Sequence, residues 1–197
     1  MGTVATIRSV ADLPAIVMPT DLSRVPDPVH ASRNLPAGAA VILRDAGHPD
    51  RLAFGIALRR STLAWGQVLL VSGDPALAEA LNADGLHVPE RMLGTAAVRH
   101  WRRANPGRLM SAACHSLTAL RRAERAGADL VLLSPVFPTA SHPGGRVLGL
   151  YRAAALATAT DLAVLAMGGI ERGNARRLPS QFSGLAAIGM FADSGGA

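Results

Sequence analysis

Apolar runs about four or five residues long recur at eight places, 15–18, 40–43, 68–71, 85–88, 109–113, 130–133, 163–166 and 186–189. Most are apolar at nearly every position rather than at alternate ones, which is the pattern of a strand covered on both faces, as in a parallel sheet. The segments between them have room for short helices. Asp27-Pro28 and Asp74-Pro75 each set a capping carboxylate before a proline whose missing N–H costs nothing in a first turn. Ser116 precedes Leu117, Leu120 and Ala123 at helical spacing, with Arg121, Arg122 and Arg125 toward solvent, and Gly127 stops the run.

Repeated strand-helix units predict an α/β chain, and eight strands are the number that closes a (β/α)8 TIM barrel. A doubly wound open sheet is the alternative that follows from the same alternation. No helix can be drawn after the eighth run. The expectation is therefore one TIM-barrel domain over 1–197 lacking the C-terminal covering helix. The outer surface of its first and last strands would be covered by the N-terminal segment or by another subunit, so a homo-oligomer is expected.

Composition sharpens this picture. The 197 residues are 49% apolar and 17% charged, which describes a packed core rather than a disordered tail. Only 4% are aromatic, so the core is built from Ala, Val, Leu and Ile. All 20 basic residues are arginine. Without lysine, Schiff-base aldol chemistry, pyridoxal phosphate chemistry and a Walker-type phosphate loop are excluded. Cys114 is the single cysteine, so no intramolecular disulfide forms, and a cytoplasmic setting is expected. No apolar stretch is long enough to span a membrane. The first six residues fit the loose myristoylation pattern, which matches often by chance. A net charge of +6 raises the question of nucleic acid. The arginines, however, are spread over helix segments such as Arg102-Arg103 and Arg121-Arg122 with few aromatics to stack bases, so solvated helix faces account for them.

In a parallel barrel, ligands gather at the carboxyl ends of the strands. That rule yields Asp21, Arg44 and Asp45, Ser72 and Gly73, His87 and Glu90, His115 and Ser116, the stretch from Ser134 to His142, Gly168 and Gly169, and Gly189 and Met190. Gly168-Gly169-Ile170, with Asn174 behind it, and Gly189-Met190 on the neighbouring strand form a pair of loops whose backbone N–H groups suit a phosphate; the plainer reading is a tight corner. His115 would aim an imidazole into the mouth as an acid or base, or hydrogen-bond a loop carbonyl and do no chemistry. Cys114 beside it points the other way along the strand and is read as packing. Arg44 would bind a carboxylate or phosphate as a fork, or pair with a neighbouring loop.

These residues carry a family resemblance. His115-Ser116-Leu117, Ala126-Gly127-Ala128-Asp129, Ser134-Pro135-Val136-Phe137-Pro138-Thr139, Gly149-Leu150 and Gly168-Gly169-Ile170 with Asn174 resemble the thiamine phosphate synthase and thiazole tautomerase family. Asn82-Ala83-Asp84-Gly85-Leu86-His87 and Leu43-Arg44-Asp45 fit the same pattern. The resemblance implies a TIM barrel and a role in thiamine biosynthesis. The synthase branch joins a thiazole phosphate to an aminopyrimidine diphosphate with magnesium. This sequence departs from that branch at several points. Ser72-Gly73 stand where synthases carry Asn-Asp, and Met92 stands at a second acidic ligand. Ile42 and Ala46 replace a Gln and a Lys, and His142 replaces a Lys.

What is kept looks more like the tautomerase branch, which aromatises a thiazole carboxylate phosphate by moving a proton. On that resemblance His115 is the acid/base residue. Arg44, Ser72, Thr139, Ser141 and His142 contact substrate, and Gly168, Gly169, Ile170, Gly189 and Met190 hold the phosphate. No cofactor is expected. The alternative is a synthase with a shifted magnesium site at Asp74 or Glu90, and a third reading is a non-catalytic barrel that binds a thiamine precursor. The expected partner is a phosphorylated thiazole, with no nucleic acid and no membrane.

Overall fold

The computed structural model describes residues 13–139 and 146–192. Eight parallel strands form a closed barrel in sequence order, which decides between barrel and open sheet. They are β1 (Ile16–Pro19), β2 (Ala40–Leu43), β3 (Val68–Ser72), β4 (Gly85–Val88), β5 (Leu109–Cys114), β6 (Leu130–Leu133), β7 (Ala163–Met167) and β8 (Gly184–Ala186). Successive side chains on a strand point to opposite faces. Val17, Ile42, Leu70, Leu132 and Leu165 therefore fill the barrel interior, while Val41, Leu69, Val71, Val131 and Leu133 join the larger core beneath the helices. Both sets are apolar, so the strands read as unbroken runs.

Among the described residues six α-helices cover the outside: α1 (Pro28–Ser32), α2 (Arg51–Ala64), α3 (Pro75–Ala80), α4 (Ala96–Ala104), α5 (Leu117–Ala126) and α6 (Leu150–Thr158). The side chains of Asp27, Asp74 and Ser116 accept the backbone N–H groups of His30, Leu77 and Ala119, so the three predicted caps are formed. Gly127 ends α5 in the left-handed conformation. At the amino ends of the strands, Asp84 pairs with Arg59 at 2.6 Å and accepts the Leu69 amide. Asp129 likewise pairs with Arg102 and accepts the Met110 amide.

The eighth unit differs from the expectation. β8 starts at Gly184 and ends at Ala186, where the sequence places the strand at 186–189. The apolar run continues because Ala187 and Ile188 are buried against the outer core, so their apolarity reports loop packing rather than strand. Between β7 and β8 the described chain has one 3-10 turn, Ala175–Arg177, and after β8 another, Gly189–Phe191. Phe182, Met190 and Phe191 pack on the same outer core as Val25, Ala31 and Leu35 beside α1, and Asn34 donates to the Phe191 carbonyl at 3.0 Å. These contacts cover part of the outer surface beside α1. No helix among the described residues is long and apolar enough to cross a membrane.

Candidate active site

The loops at the carboxyl ends of the strands enclose an open mouth of about 1300 Å³. Its floor is the top of the barrel interior, where Pro19, Ile42, Leu132, Met167 and Ala186 present apolar surface and His87 a polar one. Around this floor stand His115, Ser134 and Glu90 on one side, and the loops after β7 and β8 on another.

His115 follows β5 directly, because the strand ends at Cys114 and Ser116 already caps α5. Its Nδ1 lies 2.9 Å from the Ser134 carbonyl oxygen and 3.2 Å from the Ser134 hydroxyl. A carbonyl only accepts, so Nδ1 carries the proton and the neutral ring keeps its lone pair on Nε2. Glu90 accepts the His115 amide at 3.0 Å, and its Oε2 lies 3.9 Å from Nε2. The ring is thus bracketed so that a proton gained at Nε2 sits near a carboxylate, an arrangement suited to taking and returning a proton. Cys114 is fully buried in the outer core. Burial, and then the charge of Glu90, raise its thiol to about 12 against the pull of Arg122, so it is no nucleophile.

The glycine loops serve two purposes. Gly168 and Gly169 have φ of +93° and +64°, and a Cβ on Gly169 would lie 2.2 Å from the Pro138 carbonyl oxygen. The Val136 and Phe137 amides donate to Met167 and Gly168, so these glycines let the loop after β6 lie flat on the loop after β7. The plainer reading of the Gly-Gly pair thus has a concrete structural basis. The N–H groups of Gly168, Gly169, Ile170, Ile188 and Gly189 have no acceptor among the described residues, and all five residues line the mouth. Asn174 anchors the corner by donating to the Gly169 carbonyl at 2.8 Å. Among the described residues no α-helix starts behind the loops, so the unpaired amides there, rather than a helix dipole, would attract an anion. Met190 lies outside the mouth, against the core and a smaller cavity of about 580 Å³.

Arg44 reaches the mouth but is engaged. Its Nη2 binds Asp21 at 2.6 Å and its Nε donates to the Thr20 carbonyl. Burial would raise the Asp21 carboxyl, but the Ser23 hydrogen bond and the Arg44 and Arg24 guanidinium groups together hold it below the ordinary carboxylate range. Ser72 lines the mouth, and its carbonyl accepts from Arg51 Nη2 at 2.9 Å. Arg51 enters from the first turn of α2, a place that reasoning from strand ends does not search. The signal for it is Asp50, which caps that helix one residue earlier. Thr139 also lines the mouth. Ser141 and His142 lie outside the described residues.

Magnesium takes oxygen ligands in octahedral geometry, commonly one or two carboxylates together with waters and substrate phosphate. Asp74 accepts the Leu77 amide with Oδ1 and Arg51 Nη1 with Oδ2, and Glu90 gives Oε2 to the His115 amide. No group of three His, Cys, Asp or Glu among the described residues is placed to hold a metal. Asp74 is thus committed to an ion pair and a helix cap, so a magnesium ion there would compete with the Arg51 guanidinium, whereas Glu90 engages one oxygen only.

His87 is 7% exposed, and its Nδ1 is 2.8 Å from the Ser111 hydroxyl. Burial, and then the charge of Arg44, hold its pKa down at about 4, against an ordinary 6.5. The folded protein therefore resists a proton that the unfolded chain accepts. Its contribution to stability is complete above pH 6.5 and falls as pH drops from 6.5 toward about 4. Denaturant titrations across that window are expected to show a shallower loss for His87→Gln than for the natural protein; equal slopes would sink this account.

The family described as thiamine monophosphate synthase matches residues 16–191. The thiamine-phosphate synthase of Roseiflexus castenholzii is 38% identical over 153 residues, covering 76% of this chain and 65% of that protein. That of Methanoculleus marisnigri is 37% identical over 141 residues, covering 70% and 66%. The chain thus spans about two thirds of the length of these curated relatives. Among solved structures, thiamine phosphate pyrophosphorylase from Pyrococcus furiosus superposes with a TM-score of 0.77 at 25% identity, covering 94% of this chain and 90% of that one.

Proposed function

The chain belongs to the thiamine monophosphate synthase family, and from that premise we propose that it is a thiazole tautomerase-like isomerase of thiamine biosynthesis. The reading is that the mouth binds a phosphorylated thiazole and His115 moves its proton. The observation that carries the reading is the bracketing of His115, whose Nδ1–H faces the Ser134 carbonyl and whose Nε2 lies near Glu90. Nε2 takes a proton from a carbon of the non-aromatic ring system, the electron pair moves to complete the aromatic ring, and the proton returns at another carbon. No atom is gained or lost, and no leaving group needs a metal. The unpaired amides after β7 and β8 would receive the phosphate, and Thr139 would orient the substrate from the loop after β6.

A second reading is favoured by the names of the relatives: synthesis of thiamine phosphate from thiazole phosphate and an aminopyrimidine diphosphate. Purified protein given each substrate set separates them. Aromatisation of a thiazole carboxylate phosphate without pyrophosphate release is the expected result. Pyrophosphate released from the paired substrates replaces this proposal with the synthase, and binding with neither turnover leaves a precursor-binding barrel.

A further inference from the structure

Resting on the reading of the mouth as a site for a phosphorylated heteroaromatic ring, we propose that His87 is the residue that recognises the ring, its Nε2 hydrogen-bonding a ring nitrogen or ring substituent from the floor while the phosphate lies on the amides after β7 and β8.

Among the buried residues that line the mouth, His87 is the one ionisable group. The floor around it offers Ile42, Leu132 and Met167 as flat apolar contacts, of which a methionine thioether packs well on aromatic faces. Such a floor suits a ring and gives it no orientation. His87 supplies one. Ser111, fully buried on β5 in register with His87 on β4, fixes Nδ1 from below. Nε2 has no partner among the described residues and is open to the mouth, so it is the ring's remaining polar atom and is available to a ligand that displaces water from the floor.

The Ser111 hydroxyl also sets what Nε2 can offer. When the hydroxyl donates to Nδ1, Nε2–H donates to the ligand; when Nδ1–H donates to the hydroxyl, Nε2 accepts. The imidazole stays uncharged at neutral pH, so it adds no attraction for phosphate or carboxylate and selects for a neutral polar edge. A purely structural role would be complete once Ser111 is bonded. A residue serving the ligand needs the second nitrogen as well.

Calorimetric titration with thiazole phosphate and with ethyl phosphate, which has the phosphoryl group and no ring, tests the assignment on two variants. His87→Asn keeps an amide within reach of Ser111 and ends short of Nε2, whereas His87→Gln carries a heteroatom out to that distance. The expected result is about tenfold weaker thiazole phosphate binding by H87N, most of it recovered in H87Q, with ethyl phosphate unchanged in both. In the natural protein labelled with 15N, the His87 Nε2 resonance is expected to move on adding thiazole phosphate and to stay in place with ethyl phosphate, a readout that needs no variant to fold. Natural affinity in H87N, equal weakening toward both ligands, or a still Nε2 resonance would each overturn the assignment. These are binding readouts: ring discrimination without aromatisation would defeat the His115 reading alone, and aromatisation without ring discrimination would defeat this one alone.

Discussion

Replacing His115 by alanine is expected to lower kcat for thiazole aromatisation by about 10²–10⁴-fold, with KM close to that of the natural protein. The ring touches no group that holds the fold together. Its side-chain contacts are the Ser134 carbonyl and hydroxyl and the more distant Glu90, and half of it is exposed to the mouth. Removing it therefore deletes a proton carrier without disturbing the amides that would hold phosphate. Glu90→Gln is the companion variant. A glutamine still accepts the His115 amide hydrogen bond, so the backbone stays in place while the charge near Nε2 is lost. A smaller fall, about tenfold in kcat, is expected, because a partly exposed charge 3.9 Å away is screened by solvent. Steady-state kinetics decide the matter: a H115A enzyme within about threefold of natural kcat removes His115 from the chemistry.

The barrel is legible because most of its strands are apolar on both faces, the inward His87 on β4 and Ser111 on β5 being exceptions. Neither face of a parallel barrel strand meets water, so a run such as 68–71 admits few other fates. β8 broke the rule: Ala187 and Ile188 are as apolar as a strand but buried by loop packing, and apolarity does not say which kind of burial it reports. His115 could be found by its place between a strand end and the Ser116 cap. Its bracketing by Ser134 and Glu90 could not, since those contacts join residues 19 and 25 positions away. Arg44 was visible as a cation at the end of β2, but its commitment to Asp21 is set by the neighbouring β1 loop. Asp74 shows the limit from the other side. One carboxylate reads equally as helix cap and as metal ligand, and only the structure shows that Asp74 caps α3 and pairs with Arg51 from α2.

Gly169→Ala is expected to damage both fold and site, and Gly189→Ala only the site. At Gly169 the added Cβ would stand 2.2 Å from the Pro138 carbonyl oxygen and 2.8 Å from the Phe137 Cβ, on a backbone with φ +64°. The left-handed conformation costs an L-residue about 1–2 kcal/mol, and the clash with backbone adds about 1–3 kcal/mol. For a chain of this size that is a Tm lower by about 4–20 °C. The loop after β6 would be pushed off the loop after β7, and phosphate-ester affinity should fall at least about tenfold. Gly189 has no atom within 4 Å of its added Cβ and no left-handed φ, so the fold should accept alanine with a change of at most about 0.5 kcal/mol. Gly189 lines the mouth and its added Cβ would stand in open space beside an unpaired amide, so weaker ethyl phosphate binding at unchanged Tm is the mark of an anion cradle. If G189A binds ethyl phosphate as the natural protein does, the amides after β8 hold no anion, and the glycines at the top of this barrel are explained by loop packing alone.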